Sequence, residues 1–564
     1  MCCGTGRTGR STTAEIDGVS GKPSSRTKPA ESLLCRGRSP VNTRRLVMPA
    51  SSQSPTGSIS SPAGPFSPSR LTAFPKWIRS VPILVGLFVY GVFLARHYGA
   101  IAAGADSGGY MNSAKLLAEG RLTTPVRSVP EFQPQTRWPY TPLGFVASDG
   151  AAEFKPTYPL GLPLHYAVAG KLLGWKWGTT MVAVLAAIGS VLLTYASLRE
   201  FGVSAALSFV GAAALALSPL VLYMSFIPMS DTVALVWISA AIYAALRAGR
   251  DGAWIWPAVA GFSLSVAVLV RPTNLLVLPT LVLLLPGVRA WWVAALAALP
   301  GGALNAWYNH ALYGSAFKNG YGGVGEEFGW AQFAPGLQNY LASFHWVLPI
   351  AWLALIGPVF LPWRQRGRVL VGLSLWAFGL PLFYAFYHFT QLTWWFLRFL
   401  LPAFPALLML GLLAEQEALT RIRPAWRKQV YALSVAVTLA VSLGLGLSWA
   451  KARRIIYLGS DQATYLNASL WAKDHLPKDA LVVSSQLSSA LYFYTDFPVF
   501  RWDYSKSEEC AALLNAIGRT RRPLYALIYE FEREDAFRNL PGRWTKVASF
   551  RAADSWRYDG PMAR

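Results

Sequence analysis

Apolar runs recur along the chain from residue 78 to about 449, with short polar connections between them. They lie at 78–97, 158–175, 178–198, 203–226, 230–246, 254–270, 273–286, 290–308, 341–361, 369–389, 394–413 and 429–449. A helix needs about 20 predominantly apolar residues to cross the hydrocarbon core, so the pattern predicts a polytopic α-helical membrane protein. The 273–286 run is short, and the count of crossings depends on it. Beyond residue 459 the pattern changes. TYLNASLWAKDHL (464–476) reads as an amphipathic helix. ALVVSS (480–485), PVFRW (498–502), PLYALIYE (523–530) and WTKVASF (544–550) read as strands, with helical stretches near 507–518 and 532–539. Alternating strands and helices predict a small α/β domain.

The charges give the helices a direction. Arg199, Arg247 with Arg250, and Arg289 mark one set of short loops; Arg364, Arg366 and Arg368 mark another, and Arg421, Arg423, Arg427 and Lys428 the last. The connections 226–229 and 389–393 have no Lys or Arg. The bias of basic residues to the cytoplasmic side puts the clusters inside, and 309–340 and everything after 450 outside. Counting back, 78–97 runs outward and 178–198 runs inward, so 158–175 is not an ordinary crossing. Its Pro159, Pro163, His165 and Lys171 suit a partly buried juxtamembrane helix. The expectation is about eleven transmembrane helices over 76–450, with the N-terminus inside and the C-terminus outside. A large first external loop (98–177) should hold a helix near 106–119, an irregular middle and the helix after Pro159, and 451–564 should form an external α/β domain. Residues 1–75, rich in Ser, Pro, Gly and Arg, read as a disordered basic cytoplasmic tail or an over-extended gene start, with Met48 an alternative initiator.

Composition narrows the class. The chain is 53% hydrophobic and 14% charged, and its arginines cluster between apolar runs, so the formal charge of +23 does not indicate nucleic acid. Four cysteines, three of them in the N-terminal tail, make neither a disulfide framework nor a thiolate metal site.

Candidate chemistry gathers at the expected outer ends of the crossings: Asp106, Lys155, Asp231, Arg271 and Arg398. Charges near hydrocarbon are costly and face protein or water. A carboxylate can take a proton from a hydroxyl nucleophile, and basic side chains can hold a phosphate and stabilise it as it departs. Each residue also has a plainer reading. Asp106 and Asp231 can cap helices, Lys155 can snorkel, and the arginines can anchor topology or pair structurally. Tyr110, one turn beyond Asp106, can share its helix face. The histidines show no metal-binding spacing. The glycines of FKNGYGGVGEEFG lack the context of a nucleotide loop, and Glu326 and Glu327 read as solvated.

GADSGGYMNSAKLLAEGRL (104–122), KPTYPLGLPLHY (155–166), SDTVALVW (230–237), RPTNLLVLP (271–279), NAWYNHALYGSAFKNGYG (305–322), LRFLLPAFPALL (397–408) and WAKDHLPKDALVVSSQLSSALYFYTDFPVFRW (471–502) carry a resemblance. Together they resemble the integral-membrane glycosyltransferases of GT-C fold, in the group of protein O-mannosyltransferases, lipid A aminoarabinose transferases and rhizobial lipopolysaccharide transferase-like enzymes. The resemblance implies a bacterial inner-membrane enzyme with a periplasmic or extracellular site. It implies inverting transfer from a polyprenyl-phosphate sugar to a glycan, lipid or protein acceptor. Asp106 would be the catalytic base, Asp231 a second acid or a metal or acceptor contact, and Lys155 and Arg398 donor-phosphate contacts. Arg271 joins that set on its charge and position, and Tyr110 is a candidate for the substrate cavity. Where many relatives have Asp-Glu, this chain has Asp106–Ser107. The resemblance leaves room for a divalent cation, with no dependable ligand set in the sequence. Competing readings are a lipid-linked sugar transporter or flippase, against which the lack of an evident internal repeat speaks, and a polysaccharide ligase or polymerase.

Overall fold

The structure, a computed structural model, describes residues 76–134, 136–147 and 152–561; the expected tail at 1–75 lies outside them. The described residues from 80 onward form one compact unit. Among the described residues, five helices are long and apolar enough to cross a membrane: Gly161–Glu200, Asp231–Asp251, Trp363–Ala385, Trp394–Thr420 and Pro424–Ala452. Two bent pairs raise the number to seven if each is one span. The chain is a multi-pass membrane protein, and eleven full crossings exceed what length and apolarity establish.

Four expected segments take a different form. The 158–175 and 178–198 runs are one helical stretch, Gly161–Glu200, broken at Gly174, whose φ of 74° and ψ of 161° only glycine adopts readily. The 203–226 run is the pair Ala205–Ala216 and Pro219–Ser225, bent by 52°. The 341–361 run is not a straight crossing. A helix from Trp330 to Val347 meets Ala351–Phe360 at 120°. Leu348 has left the helical region (φ −156°, ψ 75°), as a residue preceding proline tends to, and Pro349 brings no amide hydrogen to continue the ladder.

The segment after the first helix (Lys76–His97) was expected to have an irregular middle, but it contains a small sheet. Strands β1 (Thr124–Pro125), β2 (Phe145–Ala147) and β3 (Glu153–Pro156) pair antiparallel in the order β1-β3-β2. The C-terminal part is a five-stranded sheet of β4 (Leu481–Val483), β5 (Val499–Phe500), β6 (Leu524–Tyr529), β7 (Arg543–Phe550) and β8 (Ala553–Gly560). Its order is β5-β4-β6-β8-β7, parallel across β5, β4 and β6 and antiparallel beyond. The four expected strands are present; β8 is additional.

These two sheets share a core. Leu116, Val129, Phe132, Tyr140, Phe145 and Phe154 pack with Leu481, Val483, Tyr492, Phe500 and Leu513. Polar contacts reinforce it: Asn112 Nδ2 donates to the Ser489 carbonyl (3.0 Å), Lys115 Nζ to the Phe493 carbonyl (3.2 Å), and Arg522 pairs with Glu131 (2.7 Å). The C-terminal domain thus braces the segment that begins with Asp106.

Candidate functional site

Asp106 opens the helix Asp106–Ala118, but it is not a cap: the N-cap is Ala105, with no side-chain capping bond. Two glycines two and three residues on explain how the helix start is seated. A Cβ on Gly108 would stand 2.0 Å from Ser489 Oγ, and one on Gly109 would stand 2.3 Å from the Tyr158 ring. The first turn is clamped between the C-terminal domain and Tyr158, and the Asp106 carboxylate emerges beside that clamp.

Both of its oxygens are engaged. Tyr158 Oη donates to Oδ1 at 2.6 Å, and Arg398 Nη2 donates to Oδ2 at 2.7 Å. Burial pushes the carboxyl up, but the Arg398 charge, the hydrogen bonds from Tyr158 and Arg398, and the Arg271 charge outweigh it, holding Asp106 below the usual carboxylate value. It is therefore an ionised acceptor at neutral pH.

A second pair lies alongside. Asp231 opens the helix Asp231–Asp251, again without a capping bond. It is fully buried, and its Oδ1 accepts from Arg271 Nη1 at 2.7 Å. Arg271 ends the helix Ile255–Val270 in an extended conformation, the geometry imposed by the following Pro272. Arg398 projects from the 3₁₀ stretch Trp394–Ala403. Both guanidinium carbons stand 5.0 Å from the centre of the Phe399 ring. Met229, two residues before Asp231, links the pairs, since its sulfur receives contacts from Ser107 Oγ (3.7 Å) and Arg398 Nη1 (3.8 Å).

Side-chain exposure ranks the four groups: 0% for Asp231, 8% for Arg398, 12% for Arg271 and 32% for Asp106. Asp106 is the member most open to an incoming group. Two buried polar atoms in the cluster have no partner among the described residues, Asp231 Oδ2 and Arg398 Nε.

Four of the six sequence candidates are thus brought together as two ion pairs. Tyr110 joins them indirectly. Its hydroxyl donates to Ser230 Oγ (2.9 Å), and its ring lies 4.5 Å from that of Tyr158. Lys155 sits on β3, opposite Val146, and has no ion pair among the described residues. Tyr158 was missed by the sequence reading. Its only signal was its place in the KPTYP turn, three residues after Lys155. No group of three His, Cys, Asp or Glu side chains fit to hold a metal occurs among the described residues. Asp106 and Asp231 each pair with an arginine through one carboxylate oxygen.

The packed helices, with the first segment folded onto a C-terminal α/β domain, have a fold similar to that of a solved bacterial protein. The likeness rests on ArnT from Cupriavidus metallidurans. Its crystal structure bound to undecaprenyl phosphate matches with a TM-score of 0.55 at 15% identity, covering 85% of this chain and 98% of that one. Its apo structure matches with a TM-score of 0.52 at 16% identity, covering 86% and 98%. No family model matches the sequence, and no curated protein does.

Proposed function

We propose that this protein is a polyprenyl-phosphate-sugar-dependent glycosyltransferase that transfers a hexosyl or pentosyl group to a hydroxyl of a cell-envelope acceptor, inverting the anomeric carbon. The observation that carries the reading is the convergence of Asp106 and Arg398 beside Asp231 and Arg271. Two carboxylates and two guanidinium groups make a cluster of no net charge. A donor phosphodiester brings one negative charge and competes for the arginines. Arg398, with an unused Nε, turns from Asp106 to the phosphate. The released carboxylate oxygen accepts the hydrogen bond of the acceptor hydroxyl.

In the reaction the acceptor oxygen attacks the anomeric carbon and the anomeric carbon–phosphate oxygen bond breaks. The electron pair leaves on the polyprenyl phosphate, and the proton passes to Asp106. Arg398 and Arg271 take up the charge growing on the phosphate, with Lys155 as a contact at the rim. Asp231 holds Arg271 in place, and Tyr110 with Tyr158 walls the acceptor side. The fold likeness to a protein solved with undecaprenyl phosphate supports a lipid-linked donor. In this reading there are eleven crossings, the site and the 451–564 domain face the periplasm or exterior of a bacterial inner membrane, and membrane lipids surround the helices.

Purified protein in detergent, given labelled polyprenyl-phosphate sugars and cell-envelope acceptors, should form a covalent sugar–acceptor product. Movement of the lipid-linked sugar across vesicles with no product would instead make the protein a flippase and overturn the proposal.

A further inference from the structure

A cleft of about 620 Å³ opens on the surface where the first segment meets the C-terminal domain. That is within the roughly 300–1,000 Å³ of ligand-binding clefts. Phe132, Gln133 and Trp138 line it from one side, and Tyr504, Lys506 and Glu508 from the other. None of Asp106, Asp231, Arg271 and Arg398 reaches it.

The cleft is built on a buried support. Arg501, 3% exposed, donates from its backbone amide to the Pro139 carbonyl (2.6 Å) and from its Nε to Asp503 Oδ1 (2.8 Å). Its guanidinium lies 4.3 Å from the centre of the Tyr504 ring. It therefore ties the turn Trp138–Tyr140 to the turn Trp502–Tyr504. The consequence is a corner of two rings, Trp138 and Tyr504, with centres 5.5 Å apart and planes at 40°. Phe132 forms an apolar floor, held against Phe500 (6.0 Å), and Tyr140 Oη fixes its backbone through the Phe132 carbonyl (2.9 Å).

We propose that this cleft binds the oligosaccharide part of the acceptor. A sugar ring has an apolar C–H face and a hydroxyl rim. The ring corner suits the face, and Gln133, Lys506 and the carboxylates of Glu508 and Glu509 suit the rim. A lipid chain would need continuous apolar walls, and an anionic headgroup would meet two carboxylates against one ammonium. Glycan binding stands on this geometry alone; that the bound glycan is the acceptor rests on the transferase reading above.

The full chain in lipid nanodiscs, probed by saturation-transfer NMR with mannotriose, maltotriose, cellotriose and chitotriose, should bind at least one of them. Trp138→Ala should weaken that binding about tenfold, the scale of one lost aromatic anchor, and Trp138→Phe should keep most of it. Glu508→Gln, at an exposed position, should weaken it less without affecting folding, and Asp106→Asn should leave it unchanged. The proposal is overturned if no trisaccharide binds, if Trp138→Ala and Tyr504→Ala both bind as the parent does, or if Asp106→Asn abolishes binding. Binding that follows Trp138, in a protein that forms no glycosyl product, would remove the transferase reading and keep the glycan site.

Discussion

Arg398 holds the carboxylate of Asp106 at 2.7 Å although 292 positions separate them in the chain. That bond both keeps Asp106 ionised and keeps it occupied. Replacing Asp106 by Asn preserves the shape and removes the proton acceptor. Turnover should fall by about 10²–10⁴, the usual contribution of a positioned base, while donor binding persists. Single-turnover transfer assays on folded Asp106→Asn protein check this, and parental turnover would remove Asp106 from that role.

Tyr158 is the other donor to Asp106. Tyr158→Phe keeps the ring between its aromatic neighbours and deletes one hydrogen bond to the ionised carboxylate. The Asp106 carboxyl should then rise toward its ordinary value. The acidic limb of the kcat/KM profile, where activity is lost as Asp106 protonates, should move to higher pH. A profile that overlays the parent's would separate Tyr158 from the ionisation of Asp106.

The buried pair Arg271–Asp231 should show the asymmetry of a buried ion pair. Arg271→Ala leaves a fully buried carboxylate without its cation and should cost about 3–5 kcal/mol. The double variant Asp231→Ala/Arg271→Ala should be less destabilised than that single change. Thermal unfolding in detergent compares them; a double variant as unstable as the sum of both single changes would contradict the expectation.

Glu532 supplies a second pH dependence. It is nearly buried and accepts from the backbone amides of Gln486 (3.1 Å) and Tyr529 (3.0 Å). Burial raises it from an ordinary 4.5 to about 7, against the lowering by those two bonds. The folded form therefore holds its proton more tightly than the unfolded chain. Stability from this group is fully present below about 4.5 and is lost as pH rises through about 7. The parent should lose unfolding temperature across that window relative to Glu532→Gln. A difference that stays constant from pH 4 to 8 would rule this out.

Much of this was legible in the chain. Long apolar runs gave the helices, and β4, β5, β6 and β7 fell in short runs containing β-branched or aromatic residues. Asp106, Asp231, Arg271 and Arg398 stood out because charge at the ends of apolar runs needs a reason. Other features left weaker traces. β1 and β3 are two and four residues long, each with a proline, and β8 reads ADSWRYDG, too polar to announce a strand. The bend before Ala351 follows from one proline inside an otherwise continuous apolar run. Which acid meets which arginine is a matter of tertiary packing, invisible to spacing. Tyr158 carries no charge to draw attention to it.

The shared core of the two sheets has a temporal consequence. Ribosomes make the Asp106 helix long before Ser489, Phe493 and Arg522, which hold its surroundings. A nascent chain stopped before β4 lacks Leu481, Val483, Tyr492 and Phe500, which pack with Phe132, Tyr140, Phe145 and Phe154. Assembly of the acid's cradle thus waits for β4 and the residues after it, and a truncation before β4 should disarm the protein as surely as losing the acid itself.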